Sequence, residues 1–368
     1  MLALRSCHSC LFFLPVLALA CGTNDDTTTG ESGTGDTGET GVGTTAAAST
    51  GDEPTTGEPD ESTGGTTGAG EGAWPDPEDA PSYEGDAFTG MQIYDVAREL
   101  WLDEEALLTA LDPVRVVYVG EQHEVAAIHE LELWVLNKLL ARRPDLALGM
   151  EQFQRDEQPA IDEYLAGEID AATFEATAQP WENYAKYWKP LVEAMKAAGR
   201  PVLGLNVPDE ALDELYSAFP MSPLSVFNNW GPDATYDAEL PPRPLAMWTA
   251  EYQDYFAGSY DYEAHGKDWG LTYEEALAYF TDLALIRDDT MGWWISRHLA
   301  DTEEPLLVVA GDWHVQTGLA TPDSAAKFAD DEDSRRITTA TPGTLASVLA
   351  GAVGDRLAAD FVLVYTPQ

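Results

Sequence analysis

Cysteine is confined to the start of this 368-residue chain, as Cys7, Cys10 and Cys21, and the remaining sequence has none. A disulfide-braced fold and a cysteine-ligated metal are thereby excluded downstream. Basic residues are scarce as well: 19 Lys and Arg stand against 65 Asp and Glu, a formal net charge of -46. Such a surface repels phosphate backbones and anionic headgroups, so nucleic acid is excluded as a partner, and so is electrostatic docking on anionic lipid. The apolar run over residues 11–20 is too short to cross a bilayer as a helix. Core material is not lacking. At 44% hydrophobic and 10% aromatic, the chain can bury a real interior.

Arg5 followed by that short apolar run reads as a signal peptide over residues 1–21, removed on export. The CxxC pair Cys7 and Cys10 lies inside this segment and leaves with it. The tetrapeptide Ala18-Leu-Ala-Cys21 resembles a bacterial lipobox, which makes Cys21 the expected lipidation site; ordinary secretory cleavage near Ala20 is the alternative. From 22 to 80 the chain is rich in Thr, Gly, Asp, Glu and Ser, has no Lys or Arg, and offers almost no large apolar residue before Trp74. Nothing there offsets the entropy of ordering, so the segment is expected to be a disordered, self-repelling tether.

The globular part, over 82–368, repeats a strand-then-helix grammar. Residues 114–119 (VRVVYV) form a β-branched run, and from Ala126 the apolar residues Ile128, Leu131, Val135, Leu136 and Leu139 recur at helical spacing. Further apolar strands are expected over 146–150, 201–205, 306–310 and 361–365. Helices are expected from about Pro190 to a stop at Gly199, and from about Tyr273 to Leu299. Helices alternating with near-continuous apolar strands imply an α/β fold with a buried, mainly parallel sheet. Between 209 and 270 the pattern dissolves into a Trp-, Tyr- and Pro-rich stretch, expected to be a smaller helical or irregular cap.

Polar residues stand where the strands end. The first strand runs into Gly120-Glu121-Gln122-His123, the second into Glu151, the third into Asn206, and the fourth into Gly311-Asp312-Trp313-His314. Ligands of open α/β sheets bind outside the carboxyl ends of the strands, so these residues are expected to line one pocket. The Gly-acid-x-His tetrapeptide occurs twice, each time after a β run. Glycine permits the tight exit, and the acid and His then supply a proton-transfer pair or two metal ligands. The bland readings are a helix cap for His123 and a satisfied, partly buried histidine for His129. Were both on one helix, His129 would lie about 240° round from His123, so the two converge only if His123 belongs to a loop.

In the long helix, Arg287 occupies a position of the stripe Leu277, Phe280, Ala284, Met291, Ile295 where an apolar residue is expected. A guanidinium pointing inward needs a partner. The candidates are a structural ion pair with Asp288 or Glu151, or an acidic group on a ligand.

These residues together resemble the ChaN-type haem-binding lipoproteins. The likeness is carried by 117–123 (VYVGEQH), His129, 148–159 (LGMEQFQRDEQP), 164–167 (YLAG), Trp181, 187–191 (YWKPL), Leu205-Asn206, Arg287-Asp288-x-x-Met291 and Gly311-x-x-His314. The wider group includes Tiki-type metalloproteases and erythromycin-esterase-like hydrolases. The resemblance implies an exported, envelope- or outer-membrane-anchored protein of iron acquisition, or a secreted or periplasmic one. Haem is its expected ligand, in a pocket of Glu121, His123, His129, Glu151, Asn206, Arg287 and His314, with the membrane reached through the lipid and a homodimer as a further partner. Haem needs an apolar slot, an axial ligand and cations for its propionates, and Trp181, Tyr187, Trp188 and Trp313 supply aromatic walls. The alternative is a metal-dependent esterase or peptidase holding Zn or Mn on His123, His314, Glu121 and Glu151. A surface lipoprotein with a degenerate site is the third reading.

Overall fold

The β-branched and aliphatic runs pair as parallel strands in the computed structural model, which describes residues 80–231, 236–329 and 333–368. The expected signal peptide, the lipidation site Cys21 and the expected tether up to residue 79 lie outside the described residues. The strands are β1 (Phe88–Asp95), β2 (Leu100–Leu102), β3 (Val116–Glu121), β4 (Ala147–Gln154), β5 (Val202–Asn206), β6 (Leu306–Gly311), β7 (Ser334–Ala340) and β8 (Phe361–Pro367). They form one sheet in the order β2-β1-β8-β7-β3-β6-β4-β5. From β8 to β5 every neighbouring pair is parallel, while β1 runs antiparallel to both β8 and β2 at the far edge. The fold is therefore α/β around a mainly parallel sheet, as the sequence predicts.

Helices cover both faces, which is why the central strands carry no polar alternation. In β3, Val117 and Val119 pack into one cluster with α1 (Glu104–Leu111) and α2 (Ala126–Arg142), and with α3 (Gln158–Ala166), α4 (Ala171–Ala178), α5 (Tyr184–Tyr187) and α6 (Lys189–Ala198). Val116 and Tyr118 point to the opposite face, against Met291 and Ile295. Gly199, at φ 64°, closes α6 as expected.

After β5 come α7 (Asp209–Ser217), α8 (Pro223–Asn228), α9 (Ala250–Ser259) and α10 (Tyr262–His265), so the expected cap stretch is part helical, with an irregular segment over 241–249. These helices bury Leu212, Leu215, Phe227 and Phe256 against Phe280 and Leu283 of α11 (Tyr273–Asp301). A capping box starts α11: Thr272 Oγ1 accepts from the Glu275 N–H at 3.2 Å, and the Glu275 carboxylate accepts from the Thr272 N–H at 2.9 Å. Three helices complete the chain, α12 (Asp312–Val315), α13 (Thr321–Phe328) and α14 (Leu345–Ala350).

Three strands were absent from the sequence expectation. In β1, Gly90 takes φ 60° and the register shifts between Thr89 and Gln92, which breaks the two-residue period. The strand β2 is only three residues long. In β7, Arg335 and Arg336 give a polar start; Arg336 is held by Asp360, and the strand becomes buried only from Ile337.

Candidate functional site

Because β3, β6, β4 and β5 are parallel neighbours, their carboxyl ends share one edge, and Glu121 of β3 stands in register with Gly311 of β6. Close approach requires the first glycine of the repeated tetrapeptide, while the second has room for a methyl. A Cβ on Gly120 would lie 3.0 Å from Asp312 Cα, and one on Gly311 would lie 3.4 Å from His123 Nε2 and from Glu151 Oε2. His123 and Glu151 thus meet over Gly311, whose N–H donates to Glu151 Oε2 at 2.7 Å.

His123 sits in the loop between β3 and α2, where Glu124 adopts φ 67°. The helix begins at Ala126 with Val125 at its N-cap and no side-chain cap, so His123 is not a helix cap. Its Nδ1 lies 2.5 Å from Glu121 Oε1. Burial by itself would push the His123 pKa down, but the hydrogen bond and charge of Glu121 outweigh it and lift the pKa to about 9. Glu121 is fully buried, which would raise its pKa, and the His123 charge and hydrogen bond instead bring it to about 2. The two form a buried ion pair. Gln152 Nε2 donates to Glu121 Oε1 at 2.9 Å and Trp188 Nε1 donates to Glu121 Oε2 at 2.8 Å, so the carboxylate is held from several sides.

His129, on α2, converges on the same carboxylate from behind. Its Nδ1 is 3.6 Å from Glu121 Oε2 and 3.0 Å from Glu132 Oε2. Burial lowers the His129 pKa and raises that of Glu132 well above its ordinary value.

The second tetrapeptide places His314 in α12. His314 Nδ1 is 2.8 Å from Asp288 Oδ1 of α11, and its Nε2 is 3.4 Å from Glu151 Oε1. Burial opposes protonation of His314, but the charges of Glu151 and Asp288 prevail and raise its pKa. Asp288 also accepts from Tyr252 Oη at 2.6 Å and Thr321 Oγ1 at 2.7 Å. Its carboxylate is therefore occupied by His314, Thr321 and a cap tyrosine. Arg287 Nη1 donates to Asn206 Oδ1 at 3.2 Å, which joins the β5 end to α11 by a partner that the sequence reading did not name.

Aromatic rings pack against the histidines at the strand ends. Trp181 lies edge-on to His123 with ring centroids 5.1 Å apart, Trp188 does so at 6.3 Å, and Tyr187 covers the His129 ring at 4.5 Å. On the other side Trp313 meets His314 edge-on at 5.0 Å and stacks on Tyr255 of the cap.

The structure thus gathers His123 with Glu121 and His129, and His314 with Glu151, and brings the two groups together at Gly311. Among the described residues, the group whose donor atoms all lie within 4.8 Å of one another is Glu121, His129 and Glu132, which shares only Glu121 with the metal set expected from sequence. Glu132, Gln152, Asp288 and Tyr252 are site residues that the sequence reading missed as such. For Glu132 a signal existed: it follows His129 by three residues, on the same helix face.

A family model described as haem-binding uptake, Tiki superfamily, ChaN matches residues 107–324. The chain is similar in fold to a structure of cofacial haem binding to ChaN of Campylobacter jejuni, with a TM-score of 0.52 and 15% identity over 78% of this chain and 100% of the other. An erythromycin esterase, EreC, in its open conformation aligns at TM-score 0.40 and 16% identity over 75% of this chain and 83% of its own. The type III effector HopBA1 aligns at TM-score 0.39 and 12% identity over 72% and 93%. No curated protein matches the chain.

Proposed function

We propose, for a chain that belongs to the haem-binding uptake family ChaN of the Tiki superfamily, that the strand-end residues bind haem and that His123 would hold its iron. The observation that carries this reading is the pairing of His123 Nδ1 with the buried Glu121 carboxylate at 2.5 Å, which places Nε2 on the Gly311 side of the ring. A metal-ligating histidine characteristically has its other nitrogen fixed by a carboxylate, which sets the tautomer and raises the basicity of the donor. The residues present fit the group. Trp181 Nε1, on the ring edge-on to His123, is buried with no hydrogen-bond partner, so a donor stands beside the imidazole awaiting an acceptor such as a propionate. Haem would supply the iron that the protein delivers. This chain's residues bind it, orient the imidazole and shield it with Trp181 and Trp188. Titration with haemin tests the assignment, with a shifted Soret band expected and an unshifted one contradicting it.

The role in iron acquisition, export, and anchoring through lipid on Cys21 in the cell envelope belong to the same proposal. They are supported by the sequence features of residues 1–21 and by family membership. Cofacial binding, described for ChaN of Campylobacter jejuni, motivates the proposal that two copies of this chain meet around haem. Light scattering with and without haemin tests it; an unchanged monomer mass contradicts it.

One arrangement favours hydrolysis as a second reading: His314 is oriented by Asp288 through Nδ1 and faces Glu151 through Nε2. An oriented imidazole opposite a carboxylate is suited to proton transfer at a scissile ester or peptide bond. Turnover of a chromogenic ester by the parent, lost in His314→Ala, would support this reading; no turnover with either Zn(II) or Mn(II) added would remove it.

A further inference from the structure

Behind His123, two fully buried carboxyl groups and a buried imidazole converge. The Glu121 and Glu132 side chains are 0% exposed and that of His129 3%. We propose that Glu121, His129 and Glu132 form a site for a divalent first-row cation, Mn(II) or Zn(II), which shares Glu121 with the His123 pair but uses neither His123 nor His314 as a ligand.

Distances argue first. His129 Nδ1 stands 3.0 Å from Glu132 Oε2 and 3.6 Å from Glu121 Oε2. The longer separation is outside hydrogen-bond range. Both match the spacing of neighbouring ligands around one ion, since donors at about 2.1 Å from a centre lie roughly 3.0–3.5 Å apart in octahedral or tetrahedral arrangement. All the donor atoms lie within 4.8 Å of one another.

Unmet bonding argues second. Glu132 Oε1 is buried and has no hydrogen-bond partner. A carboxylate oxygen left alone in the interior is costly, and a cation bound by both Glu132 oxygens removes that cost. Part of the outer shell is built: Trp188 Nε1 and Gln152 Nε2 donate to Glu121, and Tyr187 packs on the His129 ring, whose Nε2 has no hydrogen-bond partner. Such partners hold ligating groups in place. The opposing charges are His123, paired with Glu121 at 2.5 Å, which a bound cation would lead to release its proton, and Lys186, whose ammonium is engaged by the Tyr187 hydroxyl at 2.7 Å. One nitrogen with carboxylate oxygens and no sulfur suits Mn(II) and Zn(II).

The test uses the full chain stripped with EDTA and titrated by calorimetry with MnCl2 and with ZnCl2. One equivalent should bind, and Glu132→Gln should weaken binding about a hundredfold or more, with circular dichroism showing that the variant is folded. Pulsed EPR on the Mn(II)-loaded parent, His123→Ala and His314→Ala decides the location even if that variant fails to fold. A single coordinated imidazole nitrogen, retained in both histidine variants, is expected, and its loss in either one would overturn the proposal. Two nitrogens would put the ion between His123 and His314, and that result, or the absence of any bound equivalent, or a Glu132→Gln variant that binds like the parent, overturns the proposal. Absence of metal would mean that a shared proton holds the two carboxylates together.

Discussion

His123 Nδ1 and Glu121 Oε1 approach to 2.5 Å at a point where the Glu121 side chain is fully buried and the His123 ring keeps 16% of its surface open to the cleft. A charge is thus stored just beneath the surface of the protein and aimed at its one accessible neighbour. Removing either partner would leave the other ion desolvated and alone, which costs several kcal/mol.

That pairing makes stability depend on pH. His123 is held at about 9 in the folded chain against its ordinary 6.5, so its contribution is fully present below about 6.5 and is lost as pH rises through about 9. Thermal melts of the parent should lose stability over that window, by about 2 kcal/mol. Glu121→Gln should start less stable and show a flatter profile. A parent profile flat from 6.5 to 9.5 would contradict the ion pair.

The same proton competes with iron. Coordination at Nε2 requires the neutral ring, with Nδ1–H kept on Glu121, and His123 loses its extra proton only near pH 9. Haemin affinity should therefore rise with pH between 6 and 9, approaching tenfold per unit where protonated His123 dominates. Affinity that falls over this range would exclude His123 as the ligand.

Gly311→Ala separates access from folding. Gly311 has φ -49° and ψ 138°, which alanine adopts freely, and the new methyl would stand 3.4 Å from His123 Nε2 and from Glu151 Oε2. The variant should melt within about 1 kcal/mol of the parent. Haemin binding should weaken at least tenfold, because the methyl fills the space before the donor nitrogen; unchanged binding would place haem elsewhere.

Anchoring is tested by fractionation. Cys21→Ser removes the only cysteine that could carry a lipid at the expected cleavage point, and should move the protein from the membrane to the soluble fraction. A variant that stays with the membrane would show that Cys21 does not anchor it.

Much of this was legible in the sequence wherever burial on both faces forced a continuous apolar run, as in Val116 to Val119 and Leu306 to Ala310. The strand ends were legible because hydrophobicity stops there. That same signal misplaced the end of β4: Glu151, Gln152 and Gln154 are polar yet buried within the strand, where Glu151 accepts from Gly311 and the amide groups of Gln152 and Gln154 donate to Glu121 and Asp209. The pairing of His314 with Asp288 was out of reach, because it depends on how α11 lies across the sheet, and Asp288 offered only an adjacency to Arg287. Tyr252 was hidden for a related reason. It reaches Asp288 from α9, in a stretch whose sequence has no regular period.

The account stands most directly on His123 as the axial donor. An absorbance titration with haemin, run in parallel on the parent and on His123→Ala near pH 9, reads it in one experiment. The parent should show a shifted Soret band saturating at a fixed stoichiometry, and His123→Ala, folded by circular dichroism, should lose the shift or need at least about a hundredfold more haemin. If the variant reproduces the parent's spectrum and affinity, His123 does not hold the iron.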